Sequence, residues 1–271
     1  MVTALMGTFS ASLGMTGPAM SAFSGESRNA GNAWTATSLL RQPYTTAVLA
    51  DSPYLYYMVD EAAGPSATDA SGNARTGTYT AISAYRQPGG LPNNFGYSVA
   101  FNANLGRLVS GGGTWSNPRV FTLELWFKTT TVLGGKLIGF EVTQGATSPA
   151  NFDRHVYMLT NGRLVYGGWG SANRLITSPL AYNNGAWHYL ALTTVNSGPG
   201  QTSVMYVDGV SVVSGATTNT TNYAGWWRVG YGSLPTGGAY PPANFVGNID
   251  NVAVYPTTLS AARIAAHYAA R

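Results

Sequence analysis

Short runs in which apolar and polar residues alternate recur along most of this chain, and the alternation predicts strands. In Phe121–Lys128 a period of two puts Phe121, Leu123, Leu125 and Phe127 on one face and Thr122, Glu124, Trp126 and Lys128 on the other. Residues 155–159 and 163–166 flank Asn161-Gly162 and read as a hairpin; residues 203–207 and 210–213 flank Asp208-Gly209 and read as a second. Residues 186–194, 226–231 and 245–254 supply further strands. Many short strands with regular turn signals predict an all-β fold, two sheets stacked as a jelly-roll sandwich. The tail is the exception. Ser260 is placed to cap a short helix over residues 259–271, alanine dominates it, and Leu259, Ile264 and Tyr268 can dock on the sandwich, with His267 read as a surface residue.

The chain reads in two parts. Residues 1–43 form a Gly/Ser/Thr/Asn-rich leader, and residues 44–271 form the β body with its terminal helix. Only 9% of the residues are charged, against roughly 25% in an average domain. The surface is therefore neutral-polar and aromatic, as in proteins that face carbohydrate or one another. The 14 basic residues form no cluster, and Lys128 and Lys136 are the two lysines, so there is no nucleic-acid footprint. The absence of cysteine excludes thiolate metal sites and cysteine nucleophiles and leaves stability to packing. No run of 18 apolar residues predicts a membrane span. Residues 2–20 resemble the tail of a secretory signal, with Ala19 and Ser21 spaced like a cleavage site before Ala22 and the basic segment missing.

Six segments, in order, resemble the laminin-G-like, concanavalin-A-like jelly roll. They are Tyr54-Leu-Tyr-Tyr-Met-Val-Asp-Glu61, then Asp69-Ala-Ser-Gly-Asn73 with Gly77-Thr-Tyr79, then Phe121–Lys128. Gly185-Ala-Trp-His-Tyr-Leu-Ala-Leu192, Met205-Tyr-Val-Asp-Gly209 and Gly247-Asn-Ile-Asp-Asn-Val-Ala-Val-Tyr255 complete the set. The resemblance implies one sandwich over nearly the whole body and an extracellular adhesion or recognition role, with a glycan or a surface protein as partner. It also implies a structural calcium ion near the opening loop and closing strand, where Asp69, Asn73, Asp250 and Asn251 stand. The alternative for the two aspartates is local turn capping. Residues 21–36 resemble, over a short stretch, the mature start of camelysin/TasA-type bacterial surface proteins. That implies a second role, a subunit of a surface filament or particle, joined as a homopolymer when residues 1–43 add as a strand to a neighbour's sheet edge.

For a glycan, the candidate contacts are the aromatics in or beside loops, Trp115, Tyr166, Trp169, Trp226 and Trp227, with Asn173 and Arg174 for hydroxyls. The alternative for each aromatic is core packing, the reading taken for Trp126 and Trp187. Hydrolysis needs two carboxylates at a defined spacing. The Glu-x-Asp-x-x-Glu strand of glucanases on this fold is missing, and Glu124 stands alone on its strand, so no enzyme is predicted and no catalytic residue is named. Gly111-Gly-Gly113 lacks the Lys-Ser/Thr of a phosphate loop.

Overall fold

A computed structural model describes residues 43–92, 96–102, 104–145, 149–167, 174–197, 200–217, 221–235 and 240–271. The chain divides into two units, residues 1–40 and 41–271, and the described residues belong to the second. The proposed assembly strand in the leader therefore lies outside the described residues, as do Trp169 and Asn173.

The second unit begins with α1 (Pro43–Ala50), β1 (Leu55–Tyr57), β2 (Ser66–Ala67), β3 (Gly77–Thr80), β4 (Ala84–Pro88), β5 (Tyr97–Phe101), β6 (Arg107–Val109) and β7 (Trp115–Ser116). Its long strands are β8 (Phe121–Lys128), β9 (Gly135–Glu141), β10 (Phe152–Met158), β11 (Arg163–Gly167), β12 (Ile176–Ala181), β13 (Trp187–Ser197), β14 (Gly200–Val207), β15 (Val210–Thr217), β16 (Ala224–Val229) and β17 (Gly247–Tyr255), before α2 (Ala261–Ala269). They form two antiparallel sheets. The first has the order β15-β14-β13-β8-β17-β5-β4, with β1 beside the far half of β17. The second has the order β12-β11-β10-β9-β16-β6-β3-β2, with β7 on the end of β16. The inner faces of both sheets share one apolar core, the sandwich that the alternation predicts.

β8 buries Phe121, Leu123, Leu125 and Phe127 in that core, each side chain worth about 1.5–3 kcal/mol when fully buried. Its other face carries Glu124 and Trp126 into a second apolar layer beneath the helices. That layer adds Tyr44 and Val48 of α1, Tyr189 and Ala191 of β13, Tyr255 of β17, and Leu259 and Ile264 at α2. The predicted cap holds, for Ser260 Oγ accepts from the amide of Arg263 at 3.2 Å. The helix α1 was not read from sequence. It has eight residues, with Pro43, which suits a first helical turn, as its only start signal.

Two hairpins follow their turn chemistry. Asp208 and Gly209 both take left-handed φ values, 52° and 79°, as a two-residue turn of primed type requires. The Asn161-Gly162 hairpin is instead a three-residue loop, with only Gly162 left-handed (φ 80°). The shared signatures also meet in space. His188 Nδ1 lies 2.8 Å from Asp208 Oδ2, and Asp208 Oδ1 accepts from the amide of Tyr189 at 2.9 Å. This pair joins the Gly-x-Trp-His segment to the Val-Asp-Gly turn.

Candidate ligand-binding face

A sandwich has two outer faces, and here they differ. The helices cover that of the first sheet, and Glu124 is used up beneath them. Its carboxylate accepts from Tyr44 Oη (3.2 Å), Tyr255 Oη (2.8 Å), Tyr189 Oη (2.5 Å) and His267 Nδ1 (2.9 Å). His267 is fully buried rather than on the surface, because its second nitrogen reaches Asp51 at 2.8 Å and the two carboxylates together hold the ring. The middle of this face is therefore filled by the chain's own side chains.

The outer face of the second sheet is polar. Registers place Thr78, Thr80, Arg107, Val109, Trp226, Arg228, Glu141 and Gly139 on it, opposite the inward Tyr79, Leu108, Trp227, Val229, Ile138 and Phe140. Two β-bulges extend it across β9 and β10. One lies in β9 between Lys136 and Ile138, the other in β10 between Asp153 and Val156. Each shifts the alternation by one residue, so that Lys136 and His155 also turn outward. At the sheet's other end Tyr157 and Val165 are covered by Leu234 and Tyr240 from the segment after β16.

The centre is a charged bed. Glu141 Oε1 accepts from Lys136 Nζ (2.6 Å) and the Ser233 amide (2.7 Å), and Oε2 accepts from Arg228 Nη1 (2.5 Å). Lys136 and Glu141 are wholly buried and Arg228 nearly so. Two glycines make the space. A Cβ at Gly139 would meet Lys136 Cε at 2.3 Å, and one at Gly232 would meet Glu141 Oε1 at 2.2 Å. Burial pulls the Lys136 ammonium below its ordinary pKa, with Glu141 pushing back. Burial, then the positive charges of Lys136 and Arg154, hold His155 far below its ordinary value, so its ring is neutral. Burial and the adjacent Arg228 also lower Arg107. Trp226 stands half-exposed two residues from Arg228 on the same face, and Phe152 packs its ring 5.7 Å from His155.

The sequence candidates divide accordingly. Trp226 is on this face. Tyr166 and Trp227 are corrected to core residues, 1% and 2% exposed, because the register turns both inward. Trp115 is half-buried and already stacked on Tyr54 at 4.1 Å, with Arg75 on the far side of that ring. Arg174 is exposed beyond β11. Trp126 is core to the helix-covered layer, and Trp187 packs partly buried against it. Sequence reasoning missed Arg107, Lys136, Glu141, His155 and Arg228. The signal was available, since charged residues inside apolar strands stand out in a chain so poor in charge.

The residues named for calcium do not fit it. Asp69 Oδ1 accepts from the amides of Tyr56 and Ser71 and Oδ2 from that of Arg75, the capping alternative. Asn73 turns its amide nitrogen to the carbonyls of Pro53 and Tyr54. Asp250 is fully buried, accepting from Gly90 N (2.7 Å) and Asn251 Nδ2 (2.7 Å), and burial raises its carboxyl well above the usual range. Asn251 sits in a bulge with φ 48° and accepts from Tyr56 Oη. The two pairs therefore lie at opposite ends of the Tyr56 side chain. Among the described residues no three His, Asp or Glu form a group that could hold a metal.

A hollow of about 230 Å³ opens at the strand ends, where Lys128, Thr130, Thr131, Gly185, Gly247 and Asn248 line it. Among the described residues no helix is long and apolar enough to cross a membrane.

A laminin G profile described as the concanavalin A-like lectin/glucanases superfamily matches residues 102–265. The chain belongs to this superfamily. No curated protein sequence matches it. Among solved structures, domain 4 of AbnA, a GH43 extracellular arabinanase from Geobacillus stearothermophilus in complex with arabinotriose, is similar at 18% identity and TM-score 0.55, over 80% of this chain and 98% of that one. Trypanosoma rangeli sialidase aligns at 15% identity and TM-score 0.54 over 80% of this chain, which spans only 32% of the sialidase. The botulinum neurotoxin type G receptor binding domain aligns at 10% identity and TM-score 0.52, over 80% of this chain and 51% of that domain. At these identities the likeness is one of fold.

Proposed function

We propose that this member of the superfamily is a non-enzymatic extracellular recognition module that binds a glycan on the outer face of its second sheet. The observation that carries the reading is Trp226, half-exposed beside the charged bed on the outer face that, among the described residues, no helix covers. An aromatic ring gives a sugar an apolar platform, and fixed polar groups beside it set orientation. Two structural neighbours, one bound to arabinotriose and one a receptor binding domain, lend support by analogy. A binding role also agrees with the state of Glu124 and Glu141, whose oxygens are both taken by the chain's own donors.

The test is a glycan array probed with the full chain and with Trp226→Ala. The proposal expects a defined set of bound saccharides that the variant loses, with no change in their length by chromatography. An empty array, or binding indifferent to the variant, refutes it; shortened saccharides make the protein an enzyme.

A further inference from the structure

The charged bed has more donors than acceptors. Lys136, Arg228 and Arg107 bring three cations to one carboxylate, Glu141, while the nearby Arg154 is paired with Asp153. Glu141 already accepts three hydrogen bonds. Arg228 spends only Nη1, on Glu141 and on the Gly145 carbonyl at 2.8 Å. Among the described residues its Nε and Nη2 are buried with no acceptor, as is Arg107 Nε, and neither ring nitrogen of the neutral His155 has a partner. Buried donors without partners are costly and rare. Several lie on this patch, and the two on Arg228 form one edge of its guanidinium.

That edge is the part of an arginine that grips a carboxylate through two parallel N–H···O bonds. We infer that the ligand of this face carries a carboxylate, as a uronic or sialic acid does, and that its acid group is held by the unpartnered edge of Arg228 with Arg107 alongside. The inference rests on the glycan reading and names the class of sugar. Arg107 is 9% exposed and marks where the bed nears the surface. The Gly145 carbonyl that accepts from Nη1 belongs to an exposed residue, so the other end of the guanidinium also lies near the surface. The acid would bring the missing acceptors and the missing negative charge at once. Sugar atoms beyond it would extend along the face toward Trp226.

The array decides this if it carries neutral, carboxylated and sulfated forms of the same oligosaccharides, including tetragalacturonate and its neutral methyl ester. The expected result is retention of carboxylated saccharides at least about tenfold tighter than their neutral forms, the value of one or two hydrogen bonds to a charged group. Arg228→Lys keeps the charge and removes the two-pronged edge, so the ratio of acid to ester affinity falls toward one. If that variant fails to fold, Arg107→Gln must lower the same ratio. Equal affinity for acid and ester, or preference for sulfated forms, overturns the carboxylate inference and leaves the glycan reading standing. An array with nothing bound removes both.

Discussion

His267 Nδ1 lies 2.9 Å from Glu124 Oε2, while His267 Nε2 lies 2.8 Å from Asp51 Oδ2. One imidazole thus joins α2 to the middle of β8 and to the end of α1. Both ring nitrogens face carboxylates, so the ring donates twice and is an imidazolium. Burial alone would lower its pKa. The bonds and charges of Glu124 and Asp51 outweigh burial and raise it. A folded-state value above the unfolded one makes a contribution to stability that is complete below about pH 6.5 and is lost as pH rises through the raised value. The melting temperature of the native chain should therefore fall on going from pH 6 to pH 9, and His267→Gln should flatten that part of the curve. Parallel curves for the two proteins would show that the ring is not charged.

Trp226 and Trp227 are neighbours in sequence and opposite in consequence. Trp227 meets Trp115, Phe121 and Phe140 edge-on or tilted in the core. Trp227→Ala should cost about 3–5 kcal/mol. Trp226→Ala should cost far less stability and abolish glycan retention. Urea unfolding of both variants checks the first statement, and the array the second.

Gly232 and Gly145 make a second contrasting pair. A methyl at Gly232 meets Glu141 Oε1 at 2.2 Å and Lys136 Nζ at 2.8 Å, inside a buried ion pair with no room to shift. Gly232→Ala should cost about 1–3 kcal/mol through overpacking. At Gly145 a methyl meets nothing within 4 Å among the described residues, and Gly145→Ala should leave the unfolding midpoint unchanged.

Calcium should not stabilise this chain through Asp69, Asn73, Asp250 and Asn251. The oxygens of Asp69 and Asp250 are engaged by backbone and side-chain N–H groups, and the two acids are not gathered into one site. Melting in millimolar calcium and in chelator should coincide. A rise with calcium would place the ion elsewhere in the chain.

The sandwich was legible because its evidence is local. In β8 every second residue is apolar, and that alone fixes which side is core. The charged bed was not legible, for two reasons. Lys136 and His155 face outward only because of the bulges in β9 and β10, and a one-residue slip reverses every assignment beyond it. Glu141 and Arg228 are 87 residues apart, and only the pairing of β9 with β16 brings them together. The adjacency of Trp226 and Trp227 told that one must point inward. Which one depended on a register that no short window contains. Glu124, solitary on its own strand, was likewise read without partners that come from positions 44, 189, 255 and 267.

The two helices give the unit a back and a front. Because α2 lies against the first sheet, a chain fixed to a bead or sensor chip through Arg271 is held by its back. Trp226 and the charged bed lie on the opposite outer face of the same unit, so an assay built on a C-terminal handle leaves the proposed recognition side turned away from the support.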